Sequence, residues 1–324
     1  MRSTTEFSRS AALHVAVVIV SYKSAADIAG CLRALELSTY PDFRVVVCEN
    51  GGPEAYDRLK AALPARLAAG QPVEVLLAPD NLGYAGGINF CVDNTGPADA
   101  YWILNPDTEP DPAALASMVD RLLRMDCGAV GHDIVLSDGR LASRGGGRWA
   151  AWTARAISIN HGGQRIDAVD ARIVEESLHY IVGASMLVTA AFFERVGPLR
   201  EDYFLYCEEV EWFLRAALLG ERLGYAPDAV VLHAHGAATG ASVDIRARSR
   251  TAVYLGERNR LLVTRDYFPS RLLIVACFML LQIFLRYVVG RAWRQAGYAL
   301  SGWLAGLRDE RGKPRWMLGE QGVA

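Results

Sequence analysis

The chain has 324 residues, of which 52% are hydrophobic and 22% are charged, so it can bury a sizeable core and is not of disordered composition. Its formal net charge of −2 gives no electrostatic reason to expect a nucleic-acid partner. The six cysteines are scattered without a CxxC pair, which favours small core residues in a reducing compartment over metal ligands or disulfides. The length fits one large domain, or one domain with an appendage.

The first part of the chain alternates apolar, β-branched runs with amphipathic segments. Strands are predicted at 15–20, 43–48 and 73–77, and helices at about 27–37 and 53–69. This alternation is typical of right-handed βαβ units. It predicts an α/β fold with a Rossmann-like, mostly parallel central sheet flanked by helices.

A further apolar run at 101–104 predicts a buried strand that ends in a turn. Asn105 and Pro106 end this strand, because proline lacks a ladder donor and restricts the residue before it. Asp107 therefore lies just beyond the carboxyl end of a buried strand, where open α/β sheets bind ligands. Its carboxylate either holds a hard divalent cation or caps the helix that follows the turn.

Polar residues also follow the first two strands, at Ser21, Tyr22 and Glu49. A parallel sheet brings these strand ends to one edge, so Glu49 is either an acceptor for hydrogen bonds from a base or ribose, or a turn carboxylate. The glycine-rich segment 79–89 runs into a helix, and its glycines allow close backbone approach to a phosphate. It is neither GxGxxG nor a P-loop, so a dinucleotide-binding fold is poorly supported.

Loop signals dominate from Gly131 to about Glu176. Within this region, Trp149 and Trp152 either stack on a sugar face or cover the core. The next apolar run, 180–188, reads as a strand with small residues in its middle. Glycine at such a position, here Gly183, indicates close approach of a ligand or another backbone.

Glu208 and Glu209 follow an aromatic run and open a predicted helix at 210–219. Acidic residues at a helix N-terminus interact favourably with the helix dipole, so a purely structural role would also explain the two glutamates. Adjacent carboxylates packed against aromatic rings also have raised pKa values, as a general base requires. Glu211 is expected to serve the structure or to orient a neighbour.

The last predicted strand, 229–232, is followed by His233 and His235. Side chains two residues apart at a strand exit point to opposite sides, so at most one of the two faces the site. A histidine close to Asp107 is either a metal ligand or a structural residue.

The C-terminal part starts with a predicted helix at about 250–266, in which 257–260 (Glu-Arg-Asn-Arg) either contacts phosphate or acceptor or forms a solvated face. Residues 272–289 are apolar but short for a membrane span, and basic and aromatic residues interleave after them. This pattern favours shallow attachment to an anionic membrane surface on its cytoplasmic face. The alternative is a helical subdomain or an oligomer interface that buries the same residues.

Seven segments in order resemble the family 2 glycosyltransferases with the GT-A fold, most closely the rhamnosyltransferase-like branch acting on cell-surface glycans. The matching segments are 18–22, 46–50, 81–89, 104–107, 183–185, 204–211 and 233–236. Each segment alone is a weak signal. The ordered set, which lies between 14 and about 260, is specific.

The resemblance implies inverting transfer of a sugar from a nucleotide diphosphate donor, with rhamnose as one option and with Mg²⁺ or Mn²⁺ as cofactor. It implies that Glu209 takes the general-base position with Glu208 beside it, and that Asp107 holds the metal with His233, or alternatively His235. The donor would be bound by Ser21, Tyr22, Glu49, Asn81, Gly83, Gly87, Asn89, Asn105 and Asp107, and the acceptor by Trp149, Gly183 and Glu208. The chain departs from the family pattern at Asn105, where an Asp is usual, and at Glu49 and Glu209, which lengthen an Asp.

The expected organisation is a flexible N-terminus at 1–13, a GT-A domain at 14–265 and a helical apolar and basic appendage at 266–324. The domain would divide into a nucleotide-binding half, 14–110, and an acceptor-binding half, 111–265. The expected partners are a dTDP-, UDP- or GDP-linked donor, a glycan or lipid-linked acceptor and an anionic membrane, with no nucleic acid and with a homo-oligomer as a further option. A catalytically inactive GT-A-like binding or scaffold protein is the alternative.

Overall fold

The computed structural model describes residues 12–165, 169–233 and 244–318. The strands are β1 (Val15–Ser21), β2 (Phe43–Glu49), β3 (Val73–Leu77), β4 (Ala100–Leu104), β5 (Thr108–Pro110), β6 (Ala129–Val135), β7 (Leu141–Arg144), β8 (Gly147–Ala150), β9 (Arg155–Ser158), β10 (Ser185–Thr189) and β11 (Leu223–His233). The helices are α1 (Ala25–Leu35), α2 (Pro53–Ala62), α3 (Gly83–Asn94), α4 (Ala114–Leu122), α5 (Ala171–Ser177), α6 (Ala190–Val196), α7 (Glu208–Leu218), α8 (Arg250–Tyr267), α9 (Leu272–Ile283) and α10 (Trp293–Leu307).

A central mixed sheet organises the molecule, with strand order β3-β2-β1-β4-β10-β6-β11-β5 and β7 paired to β6. Strands β1 to β4 are parallel, so their carboxyl ends share one edge. Every residue of β1 is buried, as expected for a strand covered on both faces. The predicted α/β class with a central sheet flanked by helices is confirmed, but the sheet is mixed and not mostly parallel, because β5, β7 and β10 pair antiparallel with their neighbours.

The register of the sheet brings the polar strand ends together. Ser21 pairs with Glu49 across β1 and β2, and Ile19 pairs with Leu104 across β1 and β4. The short strand β5 then runs antiparallel to β11, with His233 opposite Thr108. The turn after β4 is therefore fixed to the end of β11, although 126 residues separate Asp107 from His233.

Several element boundaries differ from those predicted. The region predicted as loop, 131–176, contains most of β6 and all of β7, β8 and β9. The last three have four residues each, which is too short to show a period. The helix predicted to extend to Ala69 ends at Ala62, because Leu63 is extended and precedes Pro64. The last strand starts at Leu223, and a register shift between Ala226 and Val230 hides its periodicity.

Helices α8, α9 and α10 pack on one another at the C-terminal end of the described chain. A Cβ atom on Gly302 would lie 2.1 Å from the Tyr254 carbonyl oxygen, so α10 approaches α8 as only glycine permits. Helix α9 buries Val275 and Met279 and continues into a π-helical turn, Phe284–Val288. The segment predicted as an appendage thus packs directly against α8.

Candidate active site

The turn after β4 carries Asp107 and is held by two hydrogen bonds to the main chain of Asn105. The Asn105 amide donates to the Ala184 carbonyl oxygen (2.8 Å), and the Thr108 hydroxyl donates to the Asn105 carbonyl oxygen (2.6 Å). The Asp107 Oδ1 atom lies 3.2 Å from His233 Nε2, and 11% and 16% of the two side chains remain exposed. A carboxylate and an imidazole therefore meet at the edge where the parallel strands end, still open on one side.

Glu49 lies at the end of β2 and is 1% exposed. Its Oε2 atom accepts a hydrogen bond from the Ser21 hydroxyl (2.5 Å), and its Oε1 atom accepts from the amides of Lys23 (3.0 Å) and Gly51 (2.7 Å). These bonds tie the loops after β1 and β2 together. Tyr22, between them, is exposed. A contact of Glu49 with a nucleotide stays a prediction, and the observed role of its carboxylate is to hold these loops.

The glycine-rich segment is bound to β2 and to the loop before α7. Asn50 Nδ2 donates to the Gly83 carbonyl oxygen (2.8 Å), and Asn81 Oδ1 accepts from the Gly83 amide (3.1 Å). Gly83 has a φ of +73°, and a Cβ atom there would lie 2.1 Å from the Phe204 carbonyl oxygen. Glycine is required at this position both by the backbone conformation and by the contact.

Two further donor-site candidates lie on α3. A Cβ atom on Gly87 would lie 2.6 Å from Val20 Cγ1, so this glycine allows α3 to pack closely on β1. Asn89 is buried, and it accepts from the Leu199 amide (3.0 Å) and donates to the Leu199 carbonyl oxygen (2.8 Å). The Asn89 amide is thus engaged by the backbone after α6, and its role in donor binding stays a prediction.

Glu208 and Glu209 form the first turn of α7. Glu208 is 3% exposed, and none of the described residues offers a hydrogen bond to its Oε2 atom. Burial, and then the charge of Glu209, raise the pKa of Glu208 well above its ordinary value. Burial also raises the pKa of Glu209 to about 7, although backbone amides at the helix start act in the opposite direction. Burial of two adjacent carboxylates therefore disfavours the ionisation of both at once.

The loop before α7 has an unusual backbone conformation. Phe204, Tyr206 and Cys207 have φ values of 67°, 73° and 64°, in the left-handed region that side chains other than glycine rarely adopt. Such residues cost about 1–3 kcal/mol each, and they concentrate where a site requires a particular geometry. Here that conformation delivers Glu208 and Glu209 to the start of α7.

Tyr84 connects the glutamate pair with the Asp107 turn. Its hydroxyl donates to the Gly183 carbonyl oxygen (2.6 Å), and its amide donates to the Phe204 carbonyl oxygen (2.8 Å). Burial raises the Tyr84 pKa well above its ordinary value, and the charges of Glu208, Glu209 and Asp107 raise it further. Gly183 also adjoins Glu209, and the Asn105 amide bonds to the neighbouring Ala184, so the glutamate pair and the Asp107 turn both contact the segment 183–184.

The acceptor candidates lie in different surroundings. A Cβ atom on Gly183 would lie 3.6 Å from Glu209 Cβ, so this glycine adjoins the candidate base. Trp149 is buried in the core and borders a cavity of about 990 Å³ along α7, whereas Trp152 is exposed and stacks on Arg271 at 4.3 Å. The indole of Trp149 is thus a core group with one side on this cavity, and acceptor binding by it stays a prediction.

Other sequence candidates have purely structural contacts, or fall outside the described residues. Glu211 is buried, pairs with Arg215 (3.0 Å) and accepts from the Tyr267 hydroxyl (2.5 Å), as the structural interpretation of Glu211 predicts. His235 lies outside the described residues. Arg258 and Asn259 are buried, so the solvated helix face considered for 257–260 is wrong. The apolar residues that flank 257–260 on both sides are the sequence signal from which this burial could be predicted.

Comparisons with known proteins bear on the family and the fold of the chain. Residues 16–174 match the description of Glycosyl transferase family 2. The N-acetylglucosaminyl-diphospho-decaprenol L-rhamnosyltransferase of Mycobacterium tuberculosis is 25% identical over 276 residues, which cover 75% of this chain and 84% of the relative. A mannosyltransferase from Pyrobaculum calidifontis, solved with GDP-Man and Mn²⁺, is similar in structure with a TM-score of 0.52 and 15% identity, over 92% of this chain and 88% of the other.

A second solved structure, GalNAc-T7 with UDP, GalNAc and Mn²⁺, has a TM-score of 0.56 and 13% identity. The match covers 78% of this chain but only 51% of that chain, so this chain spans about half its length. At such identities these likenesses establish the fold, which is the predicted GT-A fold with helices on both faces of the sheet. The family resemblance carried by the seven ordered segments is confirmed as well. The family match, the relative and the fold together support a family 2 glycosyltransferase with the GT-A fold.

Proposed function

We propose that the enzyme inverts the anomeric centre in a single displacement, with Glu209 as general base. The observation that carries this proposal is that the segment 183–184 contacts both Glu209 and the turn that carries Asp107, at the carboxyl edge of the sheet. A base on one side of a cleft and a polar strand edge on the other are what an in-line attack requires. The donor is a nucleotide diphosphate sugar, and the acceptor is a hydroxyl of a lipid-linked saccharide or cell-surface glycan.

The proton balance of the reaction follows from the glutamate pair. The acceptor hydroxyl attacks the anomeric carbon, its proton passes to the Glu209 carboxylate, and the bond to the diphosphate oxygen breaks on the opposite face. Glu209 carries its charge above about pH 7, so it is available as a base near neutral pH. Burial and the charge of Glu209 raise the pKa of Glu208 well above its ordinary value, and Glu208 is proposed to contact the acceptor with the Oε2 atom that no described residue engages.

The Asp107 turn fits a divalent cation held jointly with a diphosphate. Asp107 and His233 supply one oxygen and one nitrogen, and no group of three or more potential ligands occurs among the described residues. Protein sites for Mg²⁺ commonly supply one or two carboxylates and leave the remaining positions to phosphates and water. When bound, Mg²⁺ or Mn²⁺ would stabilise the negative charge of the departing nucleoside diphosphate. Asn105 is the weaker ligand, because an amide oxygen carries no charge.

The sugar and acceptor are proposed from the named activity of one relative. The Mycobacterium tuberculosis protein is named for rhamnosyl transfer to a decaprenol-linked diphospho-sugar. We therefore propose a rhamnose donor linked to dTDP as the first candidate, ahead of UDP- and GDP-linked sugars. A lipid-linked acceptor requires the active site to work close to a bilayer.

The exposed side of α9 is proposed to provide that contact. We call it the apolar face; its members are Leu273, Ile274, Phe278, Leu281, Phe284, Leu285, Val289 and Trp293, and all are exposed. Among the described residues, Pro269–Val288 is the one helical stretch long and apolar enough to cross a membrane. Arg286, Arg291 and Arg294 are exposed beside this face, which suits an anionic surface.

Hydrogen bonds along α9 favour a position in the membrane surface over a spanning one. The Trp303 indole donates to the Ala276 carbonyl oxygen (2.9 Å), and Arg260 donates to Gln282 Oε1 (2.6 Å). A spanning helix would have to break these contacts with α10 and α8. We propose peripheral attachment to the cytoplasmic face of the membrane, with the apolar face buried in the interfacial region.

Flotation with lipid vesicles tests the attachment. The full chain is expected to float with vesicles containing phosphatidylglycerol and to float less with pure phosphatidylcholine, because the arginines add an electrostatic contribution. Replacing Ile274 and Leu285 together by glutamate should abolish flotation. Leu218→Glu changes a 78% exposed leucine on α7 and should leave flotation unchanged. Equal flotation of all variants would contradict the assignment, and loss of self-association without loss of flotation would assign the apolar face to an oligomer interface.

A donor screen tests the function itself. Thermal unfolding in the presence of Mn²⁺ with dTDP-, UDP- and GDP-sugars should identify one donor class that raises the melting temperature. Transfer or slow hydrolysis of that donor should then be detectable. Stabilisation by a donor without any turnover would support the catalytically inactive alternative.

A further inference from the structure

Helix α8 sends a buried asparagine into the loop that precedes the glutamate pair. Asn259 is 0% exposed in the middle of α8. Its Nδ2 atom lies within hydrogen-bond distance of three main-chain carbonyl oxygens, those of Tyr203 (2.9 Å), Leu205 (2.8 Å) and Tyr206 (2.7 Å). One amide group therefore contacts the carbonyls on both sides of Phe204 and the carbonyl of Tyr206. Phe204 and Tyr206 are two of the three left-handed residues of this loop.

Arg258 supports the same loop from the neighbouring position. It is 1% exposed, and its Nη2 atom donates to the Tyr203 carbonyl oxygen (2.9 Å). Its Nε atom donates to Asn259 Oδ1 (2.8 Å), which fixes the orientation of the asparagine amide with both N–H groups toward the loop. Burial lowers the Arg258 pKa to about 10, so the guanidinium remains charged at neutral pH.

The other side of α8 is held by the C-terminal part of the chain. A Cβ atom on Gly306 would lie 2.8 Å from the Arg258 carbonyl oxygen, so α10 packs directly behind these residues. The Gly312 carbonyl oxygen accepts from Arg258 Nη1 (2.6 Å), and its amide donates to the Asp202 carbonyl oxygen (2.5 Å). Arg258 and Asn259, which we call the brace, are thus supported by α10. The segment after α10 also bonds to Asp202, the residue before Tyr203.

We propose that Arg258 and Asn259 are positioning residues that hold the loop 203–207 in its left-handed conformation and thereby set the Glu208–Glu209 pair against the acceptor. The proposal rests on the proposed function of Glu209 for its catalytic consequence, but the brace itself is a structural statement with its own test. It predicts that the loop is ordered by α8 and not by α7, which starts only after it.

Hydrogen–deuterium exchange of the purified full chain tests the brace without any substrate. Asn259→Asp keeps the shape of the side chain, but a carboxylate cannot donate to the loop carbonyls, and Arg258→Lys keeps the charge but loses the planar fork. Both should speed exchange in peptides covering 203–211 by about tenfold or more, with the larger effect for Asn259→Asp. Thr264→Ala is the control, since Thr264 is buried in the same helix and its hydroxyl donates within α8, to the Arg260 carbonyl oxygen (2.8 Å).

The kinetic arm separates positioning from general destabilisation. A displacement of about 1 Å can cost roughly 100-fold in rate, so Arg258→Lys should lower kcat by about 10- to 100-fold and leave the donor KM within about twofold. Its pH–rate profile should shift as well, because the surroundings of Glu209 change, whereas Thr264→Ala should keep the wild-type profile. Exchange in 203–211 equal to that of Thr264→Ala, or an unchanged kcat, would overturn the proposal. A wild-type enzyme inactive with every nucleotide sugar would overturn the proposed function, and the exchange result would still decide the brace.

Discussion

The donor edge of the sheet and the loop before α7 treat their buried polar groups in opposite ways. At the donor edge, the Glu49 carboxylate accepts three hydrogen bonds from the protein, and the Asn89 amide is paired with the backbone on both sides. At the start of α7, Glu208 has an oxygen that no described residue engages, and its pKa is raised by burial. One region is satisfied before any substrate binds, and the other is not.

This difference separates the buried polar groups that stabilise the fold from those that remain available for catalysis. A satisfied buried carboxylate rigidifies a loop, and its charge is already stabilised. An unsatisfied one has a high pKa and accepts a proton readily. The left-handed residues before α7 add backbone strain on the reactive side, whose carbonyls Asn259 holds.

Glu209→Gln should remove transfer with a loss of about 10²- to 10⁴-fold in kcat, because an amide cannot take the acceptor proton. Donor affinity measured by calorimetry should change by less than about twofold. The folded state holds the Glu209 proton more tightly than the unfolded chain, so the ionised pair costs stability as pH rises through about 7. The variant should therefore be more stable than the wild type above pH 7, which excludes misfolding as the cause. Transfer at the wild-type rate would show that the base lies elsewhere.

Asp107→Ala should weaken Mn²⁺-dependent donor binding by about 10- to 100-fold, because one of the two groups that fit the cation is lost. Calorimetry with and without Mn²⁺ measures this dependence. Asp111→Ala is the matched control, since this exposed aspartate lies on the same segment and should have no effect. Metal-independent binding of equal strength in all three proteins would assign Asp107 to the turn alone.

Glu49→Gln should lower the free energy of unfolding by about 1–3 kcal/mol, because the amide nitrogen that replaces one carboxylate oxygen cannot accept, so at least one of the bonds from Ser21, Lys23 and Gly51 is lost. Urea denaturation measures the change. Donor affinity should fall only as far as the loop is disturbed. A large loss of affinity for one nucleotide with unchanged stability would instead show that Glu49 contacts the base. The Glu49 carboxylate would then bind the donor as well as hold the loops.

The sequence predicted the fold and the family because both depend on local signals. Apolar strands that end at or just before a polar residue, at Ser21, Glu49 and Asn105, are read directly from the chain. The pairing of Asp107 with His233 was expected from the family order, and the structure supplies its cause in the β5–β11 register.

Contacts that cross the chain could not be predicted in the same way. The three bonds from Asn259 reach back more than 50 residues to Tyr203, Leu205 and Tyr206, and no local pattern encodes that distance. The left-handed residues at 204, 206 and 207 carry no glycine to mark them. The three hydrogen bonds to the Glu49 carboxylate could not be predicted for the same reason, since two of their donors, Ser21 and Lys23, lie at and just after the end of β1.

The pH dependence of kcat/KM tests most directly whether burial prepares Glu209 as the base. The base must be ionised to react, and burial raises its pKa to about 7, so the rate should rise with pH and level off above a midpoint near 7. The residual activity of Glu209→Gln should lack this rise. A wild-type midpoint near the ordinary glutamate pKa of about 4.3, or a flat profile between about pH 5 and 9, would contradict the account.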